Sequence, residues 1–128
     1  MDQYPNKYIP GVCNIGPAEI RTRKLVGWCG LLVTVALWEL FAWQGVPAAW
    51  KWILFIPAFS SAIGFLQGFM HFCAAFGLKG LFNLGMQVGK TDTVSQAEFR
   101  KMDHGKAWQI LGCAALIALG ITLVVYFI

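Results

Sequence analysis

The chain has 128 residues, of which 58% are hydrophobic and 12% are charged, and its formal net charge is +4. Soluble domains usually carry about 25% charged residues, so this composition, with six Trp and ten Phe, excludes an ordinary water-soluble domain. We therefore expect a single all-α membrane domain over residues 1–128. The basic residues flank apolar runs instead of interleaving with exposed aromatic residues, which argues against nucleic acid as a partner and for contact with lipid headgroups.

Three apolar runs follow one another along the chain, over residues 25–43, 50–84 and 107–128. A membrane-spanning helix needs roughly 20 apolar residues, so the first and third runs each fit one span. The second run is too long for one span and too short for two. We predict a span over residues 53–75 and a helical extension along the membrane surface to about residue 84, with bends or ends at Gly77, Gly80 and Gly85.

Two polar segments precede and separate these spans. Residues 1–24 form the predicted cytoplasmic N-terminal segment, in which Pro17 and Glu19 are typical of the first turn of a helix. Residues 85–106 form a predicted cytoplasmic loop. Within it, Ser95 and Glu98 have the spacing of a capping box, which predicts a short helix leading to the third span.

The basic residues predict how the chain is oriented. Nine of the ten Lys and Arg residues lie before the first span or between the second and third spans, and only Lys51 lies between the first two. By the positive-inside rule, the N-terminal segment and the long loop face the cytoplasm. The third span then ends on the outer side of the membrane.

The second span carries a stripe of small residues with polar neighbours. Ser60, Gly64 and Gly68 recur every four residues, which is a pattern that lets helices approach closely in a membrane. Gln67 and His71 lie beside this stripe. We predict that they face a helix–helix contact, whereas Cys73, about 200° around a regular helix from His71, faces lipid or another neighbour.

A cofactor or metal site is the alternative interpretation of these polar residues. His71 lies near the predicted cytoplasmic end of the second span and is a candidate cofactor ligand. Cys13, Cys73 and His104 are predicted on the same side and are candidate metal ligands. The purely structural interpretation is that Gln67 and His71 hydrogen-bond to neighbouring helices and hold the bundle together. The four cysteines contain no CxxC pair, so neither a disulfide framework nor a zinc knuckle is indicated.

Other polar or reactive residues lie inside the first and third runs. Glu39 is an ionisable residue about one turn before the outer end of the first span, and such residues are site candidates by default. Alternatively, it reaches the headgroups or pairs with Lys51. Cys29 and Cys113 lie in apolar runs, and we interpret them as small, buried hydrophobic residues.

Two segments resemble known membrane proteins. "GVCNIGPAEIRTRK" at 11–24 and "LQGFMHFCAAFGLKGLFNLG" at 66–85 resemble a group of small bacterial three-span proteins that have no assigned activity. This resemblance implies a multi-pass protein of the bacterial inner membrane. The plan of three spans with a histidine in the second also looks like the membrane-anchor subunits of succinate:quinone oxidoreductases, in which that histidine ligates haem b. Here the family's Ser-Pro-His motif is absent, and Asn83 stands where an acidic residue is expected.

Three functional hypotheses follow. The one we favour is a non-enzymatic accessory or anchor subunit that associates through the second span with other membrane subunits or with its own copies. No Ser/His/Asp set, phosphate-binding loop or pair of acids suggests an enzyme. The second hypothesis is a haem- or quinone-binding subunit of a respiratory complex, with His71 as the ligand. The third is an oligomeric transporter for a soft metal ion, which would pass Glu39, Gln67, His71 and the cysteines.

Overall fold

The computed structural model describes residues 8–128, so Lys7 and the first part of the predicted N-terminal segment lie outside the described residues. The first long helix, α1, spans Pro17–Gln44. It begins at the predicted proline, because proline at the first helical position has no N–H that needs a partner. It ends at Gly45, which adopts the left-handed conformation with φ of 66° and donates its N–H to the carbonyl of Phe41.

The chain returns through a second helical segment of mixed geometry. A 3-10 helix, Ala48–Leu54, leads directly into α2, Phe55–Met70. Because a 3-10 helix rises about 2.0 Å per residue, these two pieces together reach across a hydrocarbon core of about 30 Å. The last helix, α4, spans Ala97–Phe127. Within residues 8–128, three helices are thus long and apolar enough to cross a membrane: Pro17–Gln44, Ala48–Met70 and Ala97–Phe127.

The end of the second span differs from the prediction. Helix α2 stops at Met70, and His71 takes the left-handed conformation with φ of 56°, which is uncommon for residues other than glycine. A short helix, α3, follows over Ala74–Lys79 and ends at left-handed Gly80, which was one of the predicted end points. The predicted surface helix to residue 84 is therefore wrong beyond α3.

Two short strands replace the last part of that predicted helix. Strand β1, Leu81–Phe82, pairs antiparallel with β2, Asp92–Thr93, so the chain is mostly helical but not wholly so. The predicted capping box is also wrong. Gln96 is the N-cap of α4, without a side-chain cap bond, while the carbonyl of Ser95 accepts a hydrogen bond from Arg100.

Helix α2 is the central element of the membrane part. It packs against α1 on one side and α4 on the other. Helix α4 packs against its neighbours through one face, whose buried residues recur every three to four positions as a helix face requires. Along the apolar part of α4, these residues are Ala107, Ile110, Ala114, Ala118, Thr122 and Val125.

At one end of the helices, two segments that are distant in sequence fold together. Residues 8–16 lie against residues 71–96, with an isolated parallel bridge between Ile15 and Asn83. We call these two segments the cap. Its apolar part contains Ile15 and Cys73, which pack with Ile20 from the first turn of α1.

Candidate functional site

The cap and the adjoining helix ends enclose a set of buried polar side chains. In the part of the chain that the structure describes, every buried side-chain nitrogen or oxygen has a hydrogen-bond partner. Such full satisfaction is what a polar interior needs to be stable. The buried members of this set are Asn14, Glu19, Gln67, Asn83 and Asp103.

Asn14 joins the N-terminal segment to the break after α2. Its side-chain Nδ2 donates to the carbonyl of Cys73 at 3.1 Å, and its Oδ1 accepts from the Cys73 N–H at 2.7 Å. Its own N–H donates to the carbonyl of His71, and its carbonyl accepts from the Asn83 N–H. Asn14 therefore hydrogen-bonds to the backbone that follows the end of α2, as a residue of a neighbouring strand would.

Gln67 supports the same break from the α2 side. Its Oε1 accepts the Ala74 N–H at 2.8 Å, which satisfies one of the free donors at the start of α3. The sequence predicts a hydrogen bond from Gln67 to a neighbouring helix, and in the structure its partner is the backbone at the start of the short helix α3. Gln67 and Asn14 supply hydrogen-bond partners for the backbone between Met70 and Ala74, and this is why α2 can end there.

Glu19 is an acid at the base of the cap that is only 1% exposed. Its Oε1 accepts from Arg23 Nη1 at 2.8 Å, and its Oε2 accepts from Asn83 Nδ2 at 2.9 Å and from the Gly89 N–H at 2.7 Å. A buried charge is tolerated when it is paired and its remaining lone pairs are hydrogen-bonded. Glu19 thereby fixes the loop around Gly89 to α1.

Arg23 links this carboxylate to a cysteine. Its Nη2 lies 3.1 Å from the Sγ atom of Cys73, and its guanidinium lies over the ring of Phe76. Cys73 is only 2% exposed, so the cap closes off access to it.

The predicted metal ligands do not form one cluster. Cys13 is buried in the cap, where its thiol donates to the Ile15 carbonyl and where burial raises its pKa above the ordinary value of 9.0. His104 lies on the exposed surface of α4, in a separate pocket beside Lys79. Within residues 8–128, no three His, Cys, Asp or Glu side chains are arranged to hold a metal ion.

His71 lies at the left-handed turn itself and is half-buried. Its N–H donates to the Gln67 carbonyl, and its own carbonyl accepts from Asn14. The separation of about 200° from Cys73 that a regular helix would impose does not apply, because the helix has already ended. The haem-ligand hypothesis for His71 stays a prediction.

The small-residue stripe contacts a helix of the same chain. A Cβ atom added at Gly64 would lie 2.6 Å from the backbone nitrogen of Gly27, and one added at Gly68 would lie 2.6 Å from Cγ of Lys24. The space beside both glycines is thus filled by α1. Ser61, which sequence reasoning missed, donates to the Gly27 carbonyl, whereas Ser60 lines an open groove.

Glu39 lies far from the cap, on the exposed face of α1. It follows Glu19 by five and a half helical turns, or about 30 Å along the axis, so it shares no site with Gln67 or Cys73. Within residues 8–128, Glu39 and Lys51 form no salt bridge, and Lys51 donates to the Val125 carbonyl at 3.3 Å.

The predicted burial of two cysteines is wrong. Cys29 is exposed, and Cys113 is partly exposed. Helix α1 buries only a narrow face against α2, which includes Gly27 and Thr34. Cys29 lies outside that face.

Asp103 is a further buried acid that sequence reasoning missed, since it fell in the predicted loop. Its Oδ1 accepts the Gly11 N–H at 2.8 Å, and its Oδ2 accepts the hydroxyl of Tyr8. Burial, this hydrogen bond and the negative charge of Asp103 all raise the pKa of Tyr8 above its ordinary value of 10.0.

Two apolar grooves flank the central helix. The larger, with a volume of about 620 Å³, lies between α1 and the second helical segment, and its lining includes Val26, Cys29, Val33, Ile53, Ile56 and Ser60. The smaller, about 300 Å³, lies on the side of α4 and is lined in part by Thr34, Ser61, Phe65 and Ile117.

Comparison with known proteins identifies no relative, since no protein-family model, no curated protein and no solved structure matches the chain.

Proposed function

We propose that this protein is a non-enzymatic accessory or anchor subunit of the bacterial inner membrane, which binds a transmembrane helix of another membrane protein. The observation that carries the proposal is the larger groove. Only 17% of the apolar 18-residue stretch of α1 that could cross a membrane is buried within the chain. Most of this stretch is therefore available to a second helical neighbour. We call this groove, between α1 and the second helical segment, the α1–α2 groove.

The shape of the α1–α2 groove suits a helix. Its lining follows α1 from Leu25 to Leu37, which is about 18 Å or three turns at 1.5 Å per residue. Small side chains at Cys29 and Ser60 lie between larger apolar ones. Small residues let helix backbones approach in lipid, where no hydrophobic force drives helices together.

The glycine stripe enters this proposal in a changed role. Gly64 and Gly68 hold α1 against α2, so they shape the groove and are not themselves available to a partner. Association therefore still involves the second span, but through the face that carries Ile56 and Ser60. The polar side chains of the cap, which form hydrogen bonds to the backbone and to one another, support a structural and not a catalytic role.

The orientation that we propose places the cap in the cytoplasm. The exposed basic residues Arg21, Lys90 and Lys101 lie in or beside the cap. Lys51 lies at the opposite end of the helices, near Val125. The positive-inside rule supports this arrangement.

The test uses two bulky substitutions at similarly exposed apolar positions. Ile56→Trp, at a residue 68% exposed in the α1–α2 groove, fills the binding face. Leu116→Trp, at a residue 70% exposed on α4, is the control. Each variant is extracted from native membranes in polymer-bounded nanodiscs, and the mass and composition of the particles are measured. Cross-linking from the natural Cys29 identifies the neighbour in the groove.

We expect the natural chain and Leu116→Trp to retain the same partner subunit, cross-linked to Cys29, and Ile56→Trp to lose it. Particles that hold a single chain, or copies of this chain only, would contradict the proposal. So would retention of the partner by Ile56→Trp.

A further inference from the structure

A pocket with a cationic lining lies on the outer surface of the cap, apart from the α1–α2 groove. It has a volume of about 360 Å³ and lies between the end of α3 and the first turns of α4. We call it the basic pocket. Its lining residues are Leu78, Lys79, Gly80, Arg100, Lys101 and His104.

Among the residues that the structure describes, no acidic side chain lines the basic pocket. Asp103, which is the neighbour of His104 in sequence, is fully buried and accepts hydrogen bonds from Tyr8 and Gly11 on another side of α4. The positive charges of Lys79, Arg100 and Lys101 are therefore not neutralised by a carboxylate in the pocket. Three uncompensated cations around a concave surface attract an anion.

Arg100 is held in place by the backbone. Its Nη1 donates to the carbonyls of Val94 at 2.8 Å and Ser95 at 3.0 Å. Its aliphatic part crosses Gly80, where an added Cβ atom would lie 2.9 Å from Cδ of Arg100. These contacts fix the guanidinium before any ligand arrives and leave Nη2 and Nε as donors. An arginine fork of this kind is suited to phosphate oxygens.

The length of α4 places the basic pocket at the membrane surface. Its 31 residues extend about 46 Å, whereas the hydrocarbon core is about 30 Å thick. The apolar run begins only at Ala107, so residues 97–106 extend out of the core. Trp108 is exposed at the transition, as aromatic residues at a membrane interface commonly are. The cations thus lie at the height of lipid phosphates.

We propose that the basic pocket binds the phosphate group of an anionic phospholipid. Arg100 forms the fixed donor, and Lys79, Lys101 and His104 surround the remaining oxygens. Leu78, the apolar member of the lining, contacts the start of the lipid's hydrocarbon. This site does not depend on the partner proposed for the α1–α2 groove.

The test compares two double variants with the same change in charge. Lys79→Gln with Lys101→Gln removes two cations from the basic pocket, and both residues are exposed. Arg21→Gln with Lys90→Gln removes two exposed cations outside it. Each full-length chain is placed in nanodiscs of phosphatidylcholine mixed with phosphatidylglycerol, and native mass spectrometry measures the phosphatidylglycerol that each chain retains.

We expect the pocket variant to lose about 100-fold in its preference for phosphatidylglycerol, because each hydrogen bond to a charged phosphate oxygen contributes about tenfold or more. The control should change several-fold less. Equal losses in both variants would overturn the proposal, because they would indicate unspecific surface charge. Displacement of the retained lipid by inorganic phosphate at a similar concentration would overturn it as well, because the ligand would then be free phosphate.

Discussion

At the scale of single residues, one asparagine holds the cap together. The side chain of Asn14 makes two hydrogen bonds to the backbone of Cys73, a residue 59 positions away. Nothing in the sequence marks Asn14 as more important than the cysteine beside it. The sequence drew attention to the cysteines and to His71 because their side chains bind metals and haem, whereas the structure uses the amide.

Replacing Asn14 by alanine should therefore destabilise the protein. Asn14→Ala leaves the buried N–H of Cys73 without a partner, at a cost of about 1–3 kcal/mol. It also removes one of the two hydrogen bonds that the Cys73 carbonyl accepts, worth about 0.5–1.5 kcal/mol, while the bond from the Gly77 N–H remains. We expect the free energy of unfolding in detergent to fall by about 2–4 kcal/mol, in line with those costs. Val12→Ala, at an exposed position two residues away, is the control and should change it little. A stability equal to that of the control would show that the two hydrogen bonds are not needed.

Tyr8 makes the stability of the cap depend on alkaline pH. Its pKa is raised in the folded chain, so the folded state keeps the hydroxyl proton where the unfolded state begins to release it. The contribution of Tyr8 is therefore complete below pH 10.0 and declines as the pH rises above that value. The buried thiol of Cys13, whose pKa is also raised, acts in the same direction from pH 9.0 upward.

This dependence can be isolated with Tyr8→Phe, which removes the titrating hydroxyl. We expect the natural chain to have the higher unfolding temperature at pH 7 and the two chains to converge above pH 10. Thermal unfolding is followed across this range for both chains, so that Cys13 and other groups cancel in the difference. A difference that stays constant with pH would be inconsistent with the hydrogen bond to Asp103.

At the scale of elements, the contact between α1 and α2 is decided by glycines. The pattern of Gly64 and Gly68 predicted a close helix contact but could not identify its partner, since any helix with a matching surface would serve. In the folded chain the partner is α1, which presents Gly27 to Gly64. The pairing required knowledge of which face of α1 meets α2.

Gly64→Ala should separate these two helices. The new methyl group would lie 2.6 Å from the nitrogen of Gly27 and 2.8 Å from the carbonyl oxygen of Arg23, and neither backbone atom can move without shifting α1. Overpacking costs about 1–3 kcal/mol, and rigid backbone on both sides places this site at the upper end. The free energy of unfolding is the quantity to measure.

A matched control exists within α4. Gly120 has no atom within 4 Å of an added Cβ, so Gly120→Ala should leave stability unchanged or raise it by up to about 1 kcal/mol, because alanine favours the helix. Similar losses from both substitutions would contradict a close contact at Gly64.

At the scale of the whole molecule, the long helices leave grooves on both sides of α2, and the buried polar side chains of Asn14, Glu19, Gln67, Asn83 and Asp103 lie at one end. In the arrangement that we propose, the α1–α2 groove faces the lipid and the basic pocket lies at the level of the lipid headgroups. A subunit built in this way offers two contacts with its surroundings, one to a neighbouring helix and one to a lipid phosphate. Both are proposals with separate tests.

The proposed orientation predicts a clear pattern of chemical labelling. In a Cys29→Ala background, a cysteine at Ala49 should react with a membrane-impermeant maleimide on intact bacterial cells. A cysteine at Lys90, in the cap, should react only after the cells are opened. Both positions are exposed in the structure, so access depends on the side of the membrane alone. The opposite labelling pattern would show that the chain has the reverse of the proposed orientation.

The sequence by itself determined the number of long helices and the start of α1 at Pro17, because hydropathy and first-turn signals are local properties of the chain. Tertiary structure decided where α2 ends, since His71 and Cys73 leave the helix only when Asn14 satisfies their backbone. It also decided that Cys13 and Cys73 are enclosed in the cap while His104 lies in the basic pocket. Each of these outcomes depends on hydrogen bonds and packing between segments that are far apart in sequence. The local periodicity of the sequence does not indicate which distant segments pair.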